Sequence, residues 1–146
     1  MICIDASVAA KWILDEEHSE TARSLHDTCV RTGELIVAPP FLPIEVTNIL
    51  RQRMRREGLL LAEAIRLIEQ FLQFPVNLTT VPGLYQQALA LADAYALPAA
   101  YDAHYAALAQ SLRCNLWTDD QRLLGLLAGR LAFVRWIGDY QEGDPV

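Results

Sequence analysis

The stretch MICIDASVAAKWIL, Met1 to Leu14, changes character at its fifth residue. Met1 to Ile4 is a short apolar run, the pattern of a strand buried on both faces. From Ser7 onward Val8, Trp12 and Ile13 share one helical face. Asp5 stands at the joint, one residue past the strand. The rest of the chain repeats this alternation. LIVA (Leu35 to Ala38) reads as a second strand, ended by Pro39 and Pro40. VNLTTV (Val76 to Val81) alternates like a third, CNLW (Cys114 to Trp117) is a fourth, and AFVRW (Ala132 to Trp136) closes the pattern at an edge. Between them lie helical segments. His18 to Gly33 is a surface helix that Gly33 stops, and Phe41 to Glu57 is stopped by Gly58. Leu61 to Phe74 places Ile65, Ile68 and Leu72 on one face. Gly83 to Ala96 ends before Pro98, LPAAYDAHYAAL (Leu97 to Leu108) follows, and Gln121 to Ala128 is the last. Strands alternating with helices imply an α/β domain whose parallel sheet carries helices on both faces.

The totals agree with a single domain over residues 1–146, since 53% of the residues are apolar and no linker or repeat interrupts them. No apolar run approaches the roughly 20 residues of a membrane span. The opening MICID has no basic leader, so neither a signal peptide nor a membrane anchor is expected. Cys3, Cys29 and Cys114 are odd in number and widely spaced, which suits small buried side chains in a reducing cytoplasm. A net charge of −6 argues against broad electrostatic attraction to nucleic acid or anionic lipid. The placement of the acids therefore matters more than their sum.

Parallel sheets bind ligands beyond the carboxyl ends of their strands. Asp5 follows the first strand, and Thr118, Asp119 and Asp120 follow CNLW, so two strands deliver acids to one edge. Two helices add more. In FLPIEVTNILRQRMRRE, Val46, Ile49 and Leu50 form the buried stripe, Glu45 lies at its margin, and Asn48 is placed to orient Glu45. Asp102 has small neighbours one and two turns on, Ala106 and Ala109. Each acid also has a plainer reading. Asp102 is a candidate N-cap for a helix beginning at Ala103, Asp119 or Asp120 for the helix at Gln121, and Asp5 a turn residue. If Asp5, Glu45, Asp102 and Asp120 converge, two such charges about 5 Å apart repel by roughly 3 kcal/mol at an effective dielectric near 20. Bare anions would then take up protons or gather a cation. Oxygen ligands without His or Cys suit Mg²⁺ or Mn²⁺, with room left for a phosphate oxygen.

MICIDASV, APPFLPIEVTNIL, AAYDAHYAALA and LWTDDQRLL resemble, in order and spacing, the four motif regions of the PIN-domain proteins, and among these the VapC-type toxin ribonucleases. The resemblance implies a three-layer α/β/α sandwich and a Mg²⁺- or Mn²⁺-dependent endoribonuclease. It carries Asp5, Glu45 and Asp102 onto the family's first three acids, Asp120 onto the fourth and Thr118 onto the threonine of its Thr-x-Asp segment. Ser7 and Asn48 match polar supporting positions. Asp119, in the middle of that segment, is an additional carboxylate, so either Asp119 or Asp120 faces the metal; Asp120 is favoured. On this reading Asp5, Glu45 and Asp102 hold a principal ion, while Asp120 and Thr118 hold a second one or orient the attacking water. A cognate small antitoxin and a homodimer are further implications, with the apolar helices between Phe41 and Phe74 as candidate surfaces.

Lys11, Arg51, Arg55 and Arg122 are candidate contacts for RNA phosphates, against the plainer reading of arginines at a helix end as solubilising charge. His18, His26 and His104 are too scattered for a zinc or nucleophilic site, and most Trp and Tyr residues read as core rather than as base-stacking platforms. A phosphoaspartate protein is disfavoured, because DASV lacks a second Asp two residues on and no lysine occurs late in the chain. A non-catalytic PIN-like module that binds RNA or protein is the alternative to the nuclease.

Overall fold

The computed structural model describes residues 1–143. The elements run β1 (Ile2–Ile4), α1 (Ala6–Ala10), α2 (Ser19–Thr32), β2 (Ile36–Ala38), α3 (Leu42–Glu57), α4 (Leu61–Phe71), β3 (Val76–Leu78), α5 (Leu84–Ala94), α6 (Ala100–Leu112), β4 (Asn115–Thr118), α7 (Gln121–Leu127) and β5 (Val134–Trp136), followed by a 3₁₀ turn at Ile137–Asp139. The strands form one sheet in the order β3-β2-β1-β4-β5, and every neighbouring pair is parallel. Strand β1 is central and wholly buried, as its unbroken apolar run requires. Helix α6 packs on β1 and β4 with α5 outside it, and α1 bridges β4, α2 and α3. The expected α/β/α sandwich is what forms, with a sheet that is parallel throughout.

Several boundaries differ from the sequence reading. Helix α1 stops at Ala10, and Lys11, Trp12 and Ile13 continue in tighter turns whose amides bond to the carbonyls of Val8, Ala9 and Ala10. Strand β3 ends at Leu78 because Ala38, its partner in register, is the last residue of β2; the amide of Thr79 makes the final bond to the Ala38 carbonyl. In α4 the buried residues are Ala64, Leu67 and Phe71, while Ile65 and Leu72 face outward. Gly33 caps α2 at φ 72°, a left-handed conformation that costs glycine nothing. The three cysteines are buried and free.

The chain leaves β1 toward β2 on one side, and β4 lies on the other. The carboxyl ends of β1 and β4 therefore flank the switch point where an open α/β sheet forms its crevice. Asp5 and the Thr118–Asp119–Asp120 segment sit at that position.

Candidate active site

Asp5 is the deepest of the acids, 5% exposed at the N-cap of α1. Its Oδ1 accepts hydrogen bonds from the Ser7 hydroxyl (2.6 Å) and the Val8 amide (3.1 Å), and its Oδ2 accepts from the Thr118 hydroxyl. Burial pushes the carboxyl up to about 6. The three hydrogen bonds pull against that shift, and the negative charge of Asp102 adds to it. The N-cap and turn reading is thus correct for the backbone, yet a cap on a surface helix would not be driven upward in this way.

Asp102 is no cap. Helix α6 begins at Ala100 with Ala99 as its N-cap, so Asp102 is a first-turn residue, half-buried and without a hydrogen-bond partner of its own among the described residues. Its carboxyl is raised by burial and by the charge of Asp120, with Arg122 partly offsetting both. Glu45, in the first turn of α3, is raised by burial and by the charge of Asp102, and is relieved by a hydrogen bond from the Tyr105 hydroxyl. Asp5, Glu45 and Asp120 thus each interact electrostatically with Asp102, which stands among them. Glu45, Asp102 and Arg122 also line one cavity of about 240 Å³.

The donor set suits a hard divalent cation: four carboxylates, three with affinity for protons raised by burial, and no His or Cys side chain in the cavity wall. As the side chains stand, no three His, Cys, Asp or Glu residues among the described ones form a ready coordination group. The carboxylates are electrostatic neighbours rather than a finished shell.

The supporting residues sort themselves differently from the expectation. Ser7 and Thr118 both hold Asp5, and Thr118 is fully buried, so its hydroxyl does not face water. Asn48 is exposed and makes no bond to Glu45; Tyr105, buried one turn after Asp102 on α6, does that work. One helix therefore carries Asp102 and, through Tyr105, steadies Glu45. The 102/105 spacing, which puts both residues on one helical face, was the available signal.

Asp119 and Asp120 part company. Asp120 caps α7, accepting from the amides of Arg122 (2.8 Å) and Leu123 (3.2 Å), and its charge reaches Asp102. Asp119 turns away into a separate polar knot. Its Oδ1 accepts from the Trp136 indole (2.7 Å), its Oδ2 meets Lys11 Nζ (2.8 Å), and His18 Nδ1 lies 3.4 Å from it. Burial works against ionisation of Asp119, but the bonds from Lys11 and Trp136 win and lower its pKa. Lys11 is itself 5% exposed, held also by Glu16 and the Glu17 carbonyl at 2.8 Å each. It is therefore an internal counter-ion, and the expectation that it touches RNA phosphate is wrong. The knot serves the site at one remove: the Asp119 amide donates to Ser7 Oγ (2.7 Å) and the Asp120 amide to Thr118 Oγ1 (3.0 Å), fixing the two hydroxyls that hold Asp5.

Arg51, Arg55 and Arg122 are exposed. Arg122 borders the cavity and lies near Asp120 and Asp102. Arg51 instead lines an apolar groove of about 390 Å³ between α3 and α4, with Leu50, Met54, Leu61, Ile65 and Ile68. His104 packs between the rings of Phe41 and Tyr85, with its Nδ1 against the Ala100 carbonyl. Most Trp and Tyr residues are core as expected, with Tyr85 and Tyr101 the exposed exceptions.

The PIN domain family model matches residues 2–126. A VapC ribonuclease of Mycobacterium bovis is 32% identical over 123 residues, covering 84% of this chain and 88% of the relative. Ribonuclease VapC9 of Mycobacterium tuberculosis is similar to the same extent.

Proposed function

Because the chain belongs to the PIN domain family, we propose that it is a divalent-metal-dependent endoribonuclease of the VapC toxin type, with Asp5, Glu45, Asp102 and Asp120 as its catalytic and metal-holding carboxylates. The observation that carries this is the position of Asp102, whose charge is shared by the other three acids at the switch point of the sheet. Mg²⁺ or Mn²⁺, when bound, supplies charge neutralisation at the phosphate and activation of a water nucleophile. The chain's own parts do the rest. Ser7, Thr118 and the Val8 amide fix the Asp5 carboxylate, Tyr105 fixes Glu45, and Arg122 offers a cation at the cavity mouth for a phosphate oxygen. Arg51 and Arg55, exposed on α3, are further candidate contacts for RNA phosphates.

The partners follow the same reading. The apolar α3–α4 groove is suited to an apolar helix of a small cognate antitoxin, and exposed Tyr85 and Leu89 on α5 offer apolar surface to a second copy. No helix among the described residues is long and apolar enough to cross a membrane, and three buried free thiols fit a cytoplasmic setting. The decisive experiment is RNA cleavage with Mg²⁺ and with EDTA, comparing the native protein with Asp102→Asn. Magnesium-dependent cleavage lost in that variant is expected. Binding of RNA without cleavage by the native protein would instead establish the non-catalytic module.

A further inference from the structure

The cavity beside the carboxylates is lined by two kinds of residue, the charged Glu45, Asp102 and Arg122 and the apolar Leu97, Pro98, Ala99, Leu123 and Leu126. Tyr101, next in sequence to Asp102 and 65% exposed, lines it too. A site that handled phosphate alone would need no apolar wall, and water gains nothing there. At about 240 Å³ the space holds about eight waters at roughly 30 Å³ each, room for a flat ring system and too little for a drug-sized ligand. The Tyr101 ring meets that of Phe41 edge to face at 6.3 Å and is stacked on no other ring among the described residues.

We propose that the cavity is a nucleobase subsite, in which an unpaired base next to the scissile phosphate stacks on Tyr101 against the Leu97–Ala99 wall. The proposal rests on the nuclease reading and adds to it a contact for one unpaired base, which enters only when splayed from its neighbours. Continuity decides between a base and other apolar occupants, because Asp102 and Arg122 belong to the same wall as Tyr101. Whatever stacks there has its phosphate within reach of the carboxylates and of an exposed guanidinium. Base–aromatic stacking tolerates different bases.

Short labelled homopolymers of A, C, G and U, tested by fluorescence anisotropy in EDTA, separate this subsite from the chemistry. The native protein is expected to bind at least one of them, with Tyr101→Ala about tenfold weaker and Tyr101→Phe within about twofold. An oligonucleotide carrying 2-aminopurine should lose fluorescence on binding to the native protein and to Tyr101→Phe, and keep it with Tyr101→Ala. Equal binding by Tyr101→Ala, no binding of any homopolymer by the native protein, or a change in oligomeric size without a change in RNA affinity would each overturn the subsite. Magnesium-dependent cleavage is assayed separately. Its absence alongside Tyr101-dependent binding would remove the nuclease reading and leave the base subsite standing.

Discussion

Asp5→Asn tests the electrostatic description of the site without relying on activity. Asp5 is buried and its carboxyl sits at about 6, against an ordinary value of 3.8. A carboxyl raised in the folded state keeps its proton while the unfolded chain has released it. Stability therefore falls as pH rises from about 4 to about 6, and the deficit is complete above that window. About two pH units at roughly 1.4 kcal/mol each make this deficit about 3 kcal/mol at neutral pH. Asparagine copies the neutral form. Its oxygen can still accept from Ser7 and Val8, but its NH₂ meets the Thr118 hydroxyl, which now lacks an acceptor, at a cost of about 1 kcal/mol.

The net gain at pH 7.5 is about 2 kcal/mol, or roughly 4–8 °C in Tm for a domain of this size. Thermal unfolding in EDTA at pH 7.5 and at pH 4 measures it. The variant should unfold at higher temperature at pH 7.5, and the advantage should disappear at pH 4, where the folded carboxyl is protonated and the unfolded one has released only about half of its protons. With Mg²⁺ the native protein should regain ground, because an ion that binds only the folded state adds RT ln(1 + [Mg²⁺]/Kd). A variant no more stable at pH 7.5, or an advantage equal at both pH values, would refute the view that Asp5 is an under-compensated charge.

Tyr105→Phe should weaken Mn²⁺ binding several-fold by titration calorimetry, because Glu45 loses its donor while the buried ring remains. Lys11→Met should cost about 3 kcal/mol in urea unfolding at pH 7, since it leaves Asp119 buried beside no cation. The lowered pKa of Asp119 means that its contribution is present above the unfolded carboxyl pKa and lost as pH falls through the folded value, so the Lys11→Met deficit should shrink in acid. Gly138→Ala would put a methyl group 2.5 Å from Trp136 Cζ2; the indole should leave Asp119, shifting Trp fluorescence and costing about 1–3 kcal/mol. Arg51→Glu with Arg55→Glu should lower RNA affinity and flatten its salt dependence, read from binding isotherms across salt concentrations.

The fold was legible where an element's own residues decide it. The apolar runs of β1, β2 and β4, the stops at Gly33 and Gly58, and acids just past two strand ends are all local features. Where a neighbour decides, periodicity failed. VNLTTV alternates for six residues, yet β3 lasts only as long as β2 beside it. The apolar face of α4 predicted from Ile65 and Ile68 lines a groove, because spacing cannot tell a core face from an uncovered one. At the site, Asp5, Glu45 and Asp102 were found through their place in the pattern. Tyr105, Trp136 and His18 act across long sequence separations; only the helical spacing of Tyr105 from Asp102 offered a local signal, and nothing around Trp136 and His18 announces their role. Lys11 did carry a signal: a lone cation inside SVAAKWIL has apolar neighbours on both sides, which marks a charge that needs an internal partner.

That single lysine also explains why the acids need something from outside. The chain has one lysine, Lys11, and it is committed to Asp119 and Glu16. Asp119 answers with a lowered pKa. Asp5, Glu45 and Asp102 are more deeply buried than Asp119 and have no such partner, and burial raises all three; Arg122, which is exposed, only partly offsets Asp102. Two adjacent aspartates, 119 and 120, thus mark the boundary between a compartment neutralised from within and one left anionic. A fold that can bury a lysine against one carboxylate has the means to place a basic residue against another. On the proposed reading, three carboxylates left without one would keep a position for a divalent cation, which would offset the negative charge that a scissile phosphate meets there.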